Sequence, residues 1–298
     1  MAGRIIDLHT HSRFSDGTDS PAALVRKAAA QGLSAIALTD HDTLAGLEEA
    51  EHEAAAAGIG LIRGIELAVQ DDDLGELHLL GLFMPRPSPE HSPGYSKDMG
   101  GIIGVLQGQR LIRNQAMLDV LAAMGMPMTM DDVREHSGNE AIGRPHIALA
   151  MKSKGYVPSR KEAFERYIGW NGSAFIPRML LSPAEGIRIL REQGATVALA
   201  HPCLSRRMIA SRLDAILCEF RGYGLEAIEA YYSSHDPEQT RLCVRLADKH
   251  ELLLTGGSDY HGTNREGVLL GAGTGRLRVP FELLEKLREY RKSRGLPV

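Results

Sequence analysis

Half of the twelve histidines in this chain lie inside, or directly after, short apolar runs of strand length. His9 and His11 close the run at 5–8, His41 follows 35–39, and His78 sits within 77–84. His201 follows 196–200, and His261 stands in the turn beyond 252–255. Asp16, Glu66 and Asp259 occupy the same kind of position. Strand side chains alternate with period two, so His9 and His11 point to one side and can share an ion. One or two such histidines could simply cap a strand and bond a backbone carbonyl. Their recurrence along the chain instead implies that several strand ends meet in one cleft, as they do in a parallel α/β barrel. A cluster of carboxylates and imidazoles repels itself unless cations are present, which makes a multinuclear metal site the economical reading. Thiolates are missing from the set, so Mn²⁺, Zn²⁺ or Fe²⁺ suits it and soft copper does not.

The alternation of elements agrees with a barrel. Ser20-Pro21 reads as cap and first turn of an Ala-rich helix that Gly32 stops. A strand at 35–39 ends in Asp40-His41-Asp42, and Thr43 is the expected cap of a helix running to Ala57 before Gly58. Strands are expected at 61–69 and 77–84. After residue 174, helices at 183–193, 207–221 and 237–250 alternate with strands at 196–200, 227–231 and 252–255. A terminal helix begins near Pro280. Seven strands, mostly followed by helices, predict an α/β fold of parallel strands.

One segment breaks the pattern. Pro85, Pro87, Pro89 and Pro93 with Gly94 form a linker that is neither helix nor central strand. Beyond it the chain reads as helix only, with Thr129, Pro145 and Ser159-Arg160-Lys161-Glu162 as helix starts. This predicts a barrel domain over 1–98 and 174–298 and a helical insertion over 99–173. The insertion is either a lid over the cleft or a structural appendage.

Charge and cysteine usage bound the partners. The net charge is −4 with no basic block, which argues against an extended nucleic-acid face and leaves room for a small anionic substrate. The three cysteines lack CxxC spacing and fit a reducing compartment. With no charged-then-apolar leader and no apolar run near the ~18 residues a membrane span needs, a cytoplasmic protein away from membranes is expected. Nothing in the sequence specifies an oligomeric state.

The strings IDLHTHSRFSDG, LTDHDT, GIE, HLLGL, AHP and GGSDYHG resemble, in order and spacing, the motifs of the PHP (polymerase and histidinol phosphatase) family. GRPHIA at 143–148, AFERYIG at 163–169 and YYSSHDPEQ at 231–239 extend the likeness to its small stand-alone phosphoesterases. The resemblance implies a distorted seven-stranded β/α barrel with a helical insertion and two or three divalent metals, Mn²⁺ foremost. It also implies hydrolysis of nucleoside 3′,5′-bisphosphates or trimming of short RNA from the 5′ end. Carried over, His9, His11, Glu66 and Asp259 hold a first metal. Glu66, His78 and His201 hold a second, and Asp16, His41 and His261 a third. Many relatives have histidine where Asp16 stands, and aspartate is typical of the nucleotide-phosphatase branch. Asp40 orients a ligand rather than binding metal itself.

Phosphate esters repel hydroxide, so a catalyst must neutralise their oxygens and supply a nucleophile at neutral pH. Two close ions lower the pKa of a bridging water and clamp the in-line transition state. On this reading Glu66, His201 and Asp259 carry the catalytic centre. A second phosphate needs fixed guanidinium donors. Arg144 and Arg178 are the candidates, with His146 and Arg13 behind them and His235 as a further substrate contact. Asp236 is better explained as a helix cap. Two alternatives stand beside the nucleotide reading: a histidinol-phosphate-like phosphomonoesterase, and a non-catalytic module that keeps its metals for structure. The large open ligand set disfavours the last, because structural sites are usually closed by fewer ligands.

Overall fold

The computed structural model describes residues 3–86, 97–137, 142–204 and 210–298. Eight strands form one sheet: β1 (Ile5–Thr10), β2 (Ala35–Leu38), β3 (Gly60–Asp71), β4 (Gly75–Leu82), β5 (Thr196–Leu199), β6 (Ala227–Tyr232), β7 (Leu253–Gly257) and β8 (Val279–Pro280). Their spatial order is β7-β6-β5-β4-β3-β2-β1-β8. The start of β1 pairs with β8, whereas its end bridges from Thr10 to Tyr260, just beyond β7. The sheet therefore curls into a nearly closed barrel around the His9–His11 end of β1.

Helices cover the outside. In the barrel these are α1 (Pro21–Ala30), α2 (Leu47–Ala57), α7 (Pro183–Glu192), α8 (Ala210–Tyr223), α9 (Pro237–Lys249) and α10 (Phe281–Ser293). Between β4 and α7 come α3 (Lys97–Ala123), α4 (Met130–Arg134), α5 (Arg144–Ser153) and α6 (Arg160–Ala163), the last running into a π-helical turn, Phe164–Ile168. Period-two alternation is visible in the packing. Ile36 and Leu38 lie under α1 and α2, while Ala35 and Ala37 join Leu80, Leu82, Ala198 and Ala200 in a second cluster. Ile65, Leu67, Leu79 and Val197 face a third cluster with α7 and α8. The insertion has apolar contacts of its own, centred on Met117, Leu121, Ile147, Met151 and Ile168.

Four expectations need correction. Among the described residues there are eight strands, because the two-residue β8 is too short to register as an apolar run. The sheet is not all parallel, since β4 runs antiparallel to both β3 and β5. The three-residue link 72–74 allows only a hairpin, whereas a parallel crossover needs a dozen residues or more. Thr43 does not cap α2; its hydroxyl accepts from the Ala45 N–H in a turn, and α2 starts after Gly46 with no side-chain cap. Ser159 caps α6 through the Glu162 N–H, but the Glu162 carboxylate pairs with Arg166 instead of completing a capping box. The caps Ser20, Thr129 and Asp236 are as expected, and Ser182 caps α7. Most of the proline linker (Pro87, Pro89, Pro93, Gly94) and the expected helix start at 207–209 lie outside the described residues. No helix among the described residues is long and apolar enough to cross a membrane, and Cys203, Cys218 and Cys243 are free thiols.

Candidate active site

Backbone ladders deliver the site residues to one end of the barrel. Beyond β2 the chain stays paired with β3: Glu66 N–H donates to Asp40 O, and Asp42 N–H to Glu66 O. Beyond β5, Ala200 N–H donates to His78 O, and after β7 Asp259 N–H donates to His9 O at 2.8 Å. Because β4 is reversed, His78 reaches the site from the first half of its strand, opposite Ala68 in register. Asp42, His201 and Asp259 sit at strand ends with φ of 51°, 29° and 55°. This left-handed backbone costs a non-glycine residue about 1–2 kcal/mol, and strain of this kind clusters at functional sites.

Glu66 is the hub. Its Oε2 lies 3.1 Å from His9 Nε2, His11 Nε2 and His41 Nδ1, and its Oε1 lies 2.8 Å from His78 Nδ1 and 2.9 Å from His201 Nε2. Asp259 Oδ1 is 3.2 Å from His11 Nε2 and 3.5 Å from His9 Nε2. Asp16 Oδ1 is 3.0 Å from His261 Nε2 and 3.8 Å from His41 Nε2. His9 Nε2, His11 Nε2, Asp16 Oδ1 and Glu66 Oε2 are all buried without a properly directed hydrogen bond. Atoms this close that do not bond one another converge on points between them. Buried polar atoms are otherwise almost always satisfied, so this donor set fits divalent cations. Among the described residues three groupings have metal-ligand spacing: His9, His11, Glu66 and Asp259; His41, Glu66 and His78; and His11, Asp16, His41 and His261.

The protein atoms alone make the site a dense set of coupled charges. Burial disfavours charge on Glu66, Asp259, His11, His78 and His41, but the opposing partners outweigh it for all except His41. It is outweighed at Glu66 by His41, His9 and His78, and at Asp259 by His9, His261 and Arg265, so both carboxyls lie well below the usual range. The carboxylates raise His11 to about 9 and His78 to about 10 against the same burial penalty. At His41 burial prevails, with His11 and His78 adding repulsion, and the ring is pushed down to about 3.

A second ring of polar groups holds these side chains. Glu229 bonds His9 Nδ1 at 3.0 Å and accepts the His201 N–H at 2.7 Å. Tyr232 donates to Asp259 Oδ2 at 2.8 Å, and Arg265 also pairs with that oxygen. Asp40 accepts from Ser12 N–H, Ser12 Oγ and Ser15 Oγ, and Ser15 Oγ is 3.4 Å from His11 Nδ1. These bonds tie Asp40 to the loop that carries His11. Buried Asp7 ties Ser258 and Gly271 to β1, and burial raises its carboxyl to about 6.

The PHP domain model matches residues 7–158. A 5′-3′ exoribonuclease of Haemophilus influenzae is 31% identical, over 86% of this chain and 89% of its own length. The chain belongs to the PHP domain family. A 3′,5′-nucleoside bisphosphate phosphatase of Chromobacterium violaceum is a further relative of this PHP chain, 29% identical over 89% of this chain and 90% of that protein. Among solved structures, a protein assigned as a metal-dependent phosphoesterase from Bifidobacterium adolescentis superposes with a TM-score of 0.80 at 31% identity. The superposition covers 95% of each chain. This PHP chain is an enzyme of the metal-dependent phosphoesterase class.

Above the hub of this PHP site lies a cavity of about 460 Å³, walled by Asp16, His41, His261, Phe164, Arg160 and Arg265 among others. A smaller one of about 200 Å³, bearing Glu76 and Arg144, shares His78, His201 and Leu204 with it. Of the expected substrate residues, Arg144 lines the smaller lobe and bonds Glu76 at 3.2 Å. Arg178 is not a solvated surface arginine: it is buried, 3.0 Å from Asp42 and 3.3 Å from Glu76. His146 is 1% exposed, and its Nδ1 accepts the Gly143 N–H, so that nitrogen closes the start of α5. Arg13 is half-exposed, 3.9 Å from Glu49, and lines neither lobe. His235 hydrogen-bonds Ala230 O at 3.0 Å beside the Tyr232 ring and is also absent from both walls. The sequence reading missed Glu229, Glu76, Tyr232, Arg265, Arg160 and Asp42. Two of them left a trace: a glutamate inside the apolar strand AIEAYY, and Glu76 two positions before His78 on the same strand face.

Proposed function

We propose that this chain hydrolyses phosphate esters of nucleotides, either nucleoside 3′,5′-bisphosphates or the 5′ end of short oligoribonucleotides. The observation that carries the reading is Glu66, one buried carboxylate within 3.1 Å of five imidazoles, with an oxygen left unsatisfied. His9, His11, Glu66 and Asp259 would hold one ion, Glu66, His78 and His201 a second, and Asp16, His41 and His261 a third. Mn²⁺ is our choice, with Zn²⁺ or Fe²⁺ as substitutes, since the donors are nitrogen and oxygen only. Bound divalent ions supply the charge neutralisation and the activated water that ester hydrolysis needs.

The chain's own residues do the rest. Glu229 fixes the His9 tautomer and the His201 backbone, and Tyr232 with Arg265 holds Asp259 in one orientation. Arg144, on the wall of the smaller lobe, presents a guanidinium fork to a second phosphate, and the buried Arg178 supports it from behind by holding Glu76 and Asp42. The 99–173 insertion acts as substrate domain, because Pro145, Arg160 and Phe164 wall the larger lobe. A lobe of this size accepts a nucleotide or a short oligonucleotide end, and the acidic net charge supports a small ligand rather than a long nucleic-acid track. Free cysteines support a cytoplasmic setting. The names of the two relatives support nucleotide substrates over histidinol phosphate.

The test is a substrate panel on the Mn²⁺-loaded chain. Release of phosphate from adenosine 3′,5′-bisphosphate, or of mononucleotides from 5′-phosphorylated RNA, should exceed turnover of histidinol phosphate by orders of magnitude in kcat/KM. The reverse order would overturn the nucleotide reading.

A further inference from the structure

Arg160 differs from the other arginines around the site. Arg110 and Arg178 pair with Asp42, Arg144 with Glu76, and Arg265 with Asp259. Among the described residues no carboxylate lies within ion-pair distance of Arg160. Its Nη1 donates to the carbonyl oxygen of Asn264, and its Nε is buried with no partner at all. The side chain is half-buried and forms part of the wall of the larger lobe, beside Asp16, His261 and Phe164.

The location gives that charge a use. Arg160 opens α6 and so belongs to the insertion, while Asn264 belongs to the turn after β7 and donates from its side-chain amide to Asp16 O at 2.9 Å. The contact brings a cation of the insertion to the Asp16–His261 side of the cleft. Asp16, which shares that wall, is already 3.0 Å from His261. A half-buried guanidinium with an unsatisfied N–H and no carboxylate of its own matches an incoming phosphate, which offers two or more charged oxygens to a planar fork.

We propose that Arg160 binds a phosphate of the substrate in the larger lobe, so that the insertion takes a direct part in anion recognition. The proposal rests on the phosphoesterase reading above. The competing role is a strap that merely fastens the insertion to the turn at 262–264.

The experiment compares the parent chain with Arg160→Gln and Arg160→Lys, all Mn²⁺-loaded. Binding of inorganic phosphate is followed by calorimetry, and kcat and KM are measured for adenosine 3′,5′-bisphosphate. Loss of a charge-assisted contact should weaken phosphate binding and raise KM in Arg160→Gln by about 10–100-fold. Arg160→Lys should recover part of both, with Tm and metal content at parental values. Phosphate binding and KM within about twofold of the parent in both variants would overturn the proposal. So would a Tm loss in Arg160→Gln with phosphate affinity intact, which is the mark of a strap. Calorimetry needs no turnover, so it decides the role of Arg160 even if the parent hydrolyses nothing, an outcome that would instead count against the proposed function.

Discussion

Glu229 Oε1 lies 3.0 Å from Nδ1 of His9, and the other oxygen of the same carboxylate accepts the backbone N–H of His201 at 2.7 Å. One side chain therefore sets the ring of one proposed ligand and the backbone of another. Partners of this kind orient ligating histidines and raise their basicity, and losing one typically costs 10–100-fold in metal affinity. Glu229→Gln should lower Mn²⁺ affinity by about that factor, measured by competition with a chelating dye. An unchanged dissociation constant would show that Glu229 is only a packing group.

Metal binding should release protons at neutral pH. His11 and His78 have pKa values raised to about 9 and 10 by surrounding carboxylates that outweigh burial. Both values lie above the ordinary 6.5, so their contribution to the metal-free fold is complete below about pH 6.5 and is lost as pH rises through 9 to 10. The same protons compete with cations. Calorimetric titration of Mn²⁺ in buffers of different ionisation enthalpy should show proton release at pH 7 and tighter binding up to about pH 9. Affinity that falls as pH rises would contradict this.

Asp42 should be a pH-dependent stabiliser. Burial alone would raise its carboxyl, but Arg110 and Arg178 hold it down to about 2. A depressed folded pKa gives stability that is full above about pH 4 and fades as pH falls toward 2, worth about 2 kcal/mol at neutral pH. Asp42→Asn also leaves the buried Arg110 guanidinium without a carboxylate, while Arg178 keeps Glu76, so about 3 kcal/mol should be lost at pH 7. Denaturant unfolding at pH 7 and pH 3 checks this, with the gap between variant and parent narrowing at the lower pH. A gap of equal size at both would exclude the ion pairs as its source.

Gly257 is fixed by close approach. A Cβ there would stand 2.4 Å from the Cβ and backbone nitrogen of His9. Gly257→Ala should push β1 away from β7, cost about 1–3 kcal/mol and lower metal content. Parental Tm and metal content together would show that the two strands can give way without harm.

Residues that announce themselves by period and position were legible in the sequence. His9, His11, His41, His201, His261 and Asp259 follow apolar runs, and runs of that length are strands whichever way they lie. Direction was not legible. A strand of Leu and Gly around His78 reads the same parallel or antiparallel, and only the shortness of the 72–74 link disclosed the hairpin. Glu229, Tyr232 and Arg265 escaped notice because their work is relational: Glu229 and Tyr232 bond a proposed ligand 27 or more positions away, Arg265 bonds one six away, and pairing across a nearly closed barrel leaves no local pattern. Arg178 was ambiguous for the same reason, since its partners Asp42 and Glu76 lie over 100 positions away.

The most direct test of the metal-centred chemistry is a Mn²⁺ titration of phosphate release from adenosine 3′,5′-bisphosphate, run in parallel on the parent and on Asp259→Ala. The parent should be silent after chelation, gain activity with added Mn²⁺ and saturate at two or three ions per chain, while the folded variant stays inactive throughout. Phosphate release that survives both chelation and the loss of Asp259 would contradict a catalytic metal centre built on Glu66 and Asp259.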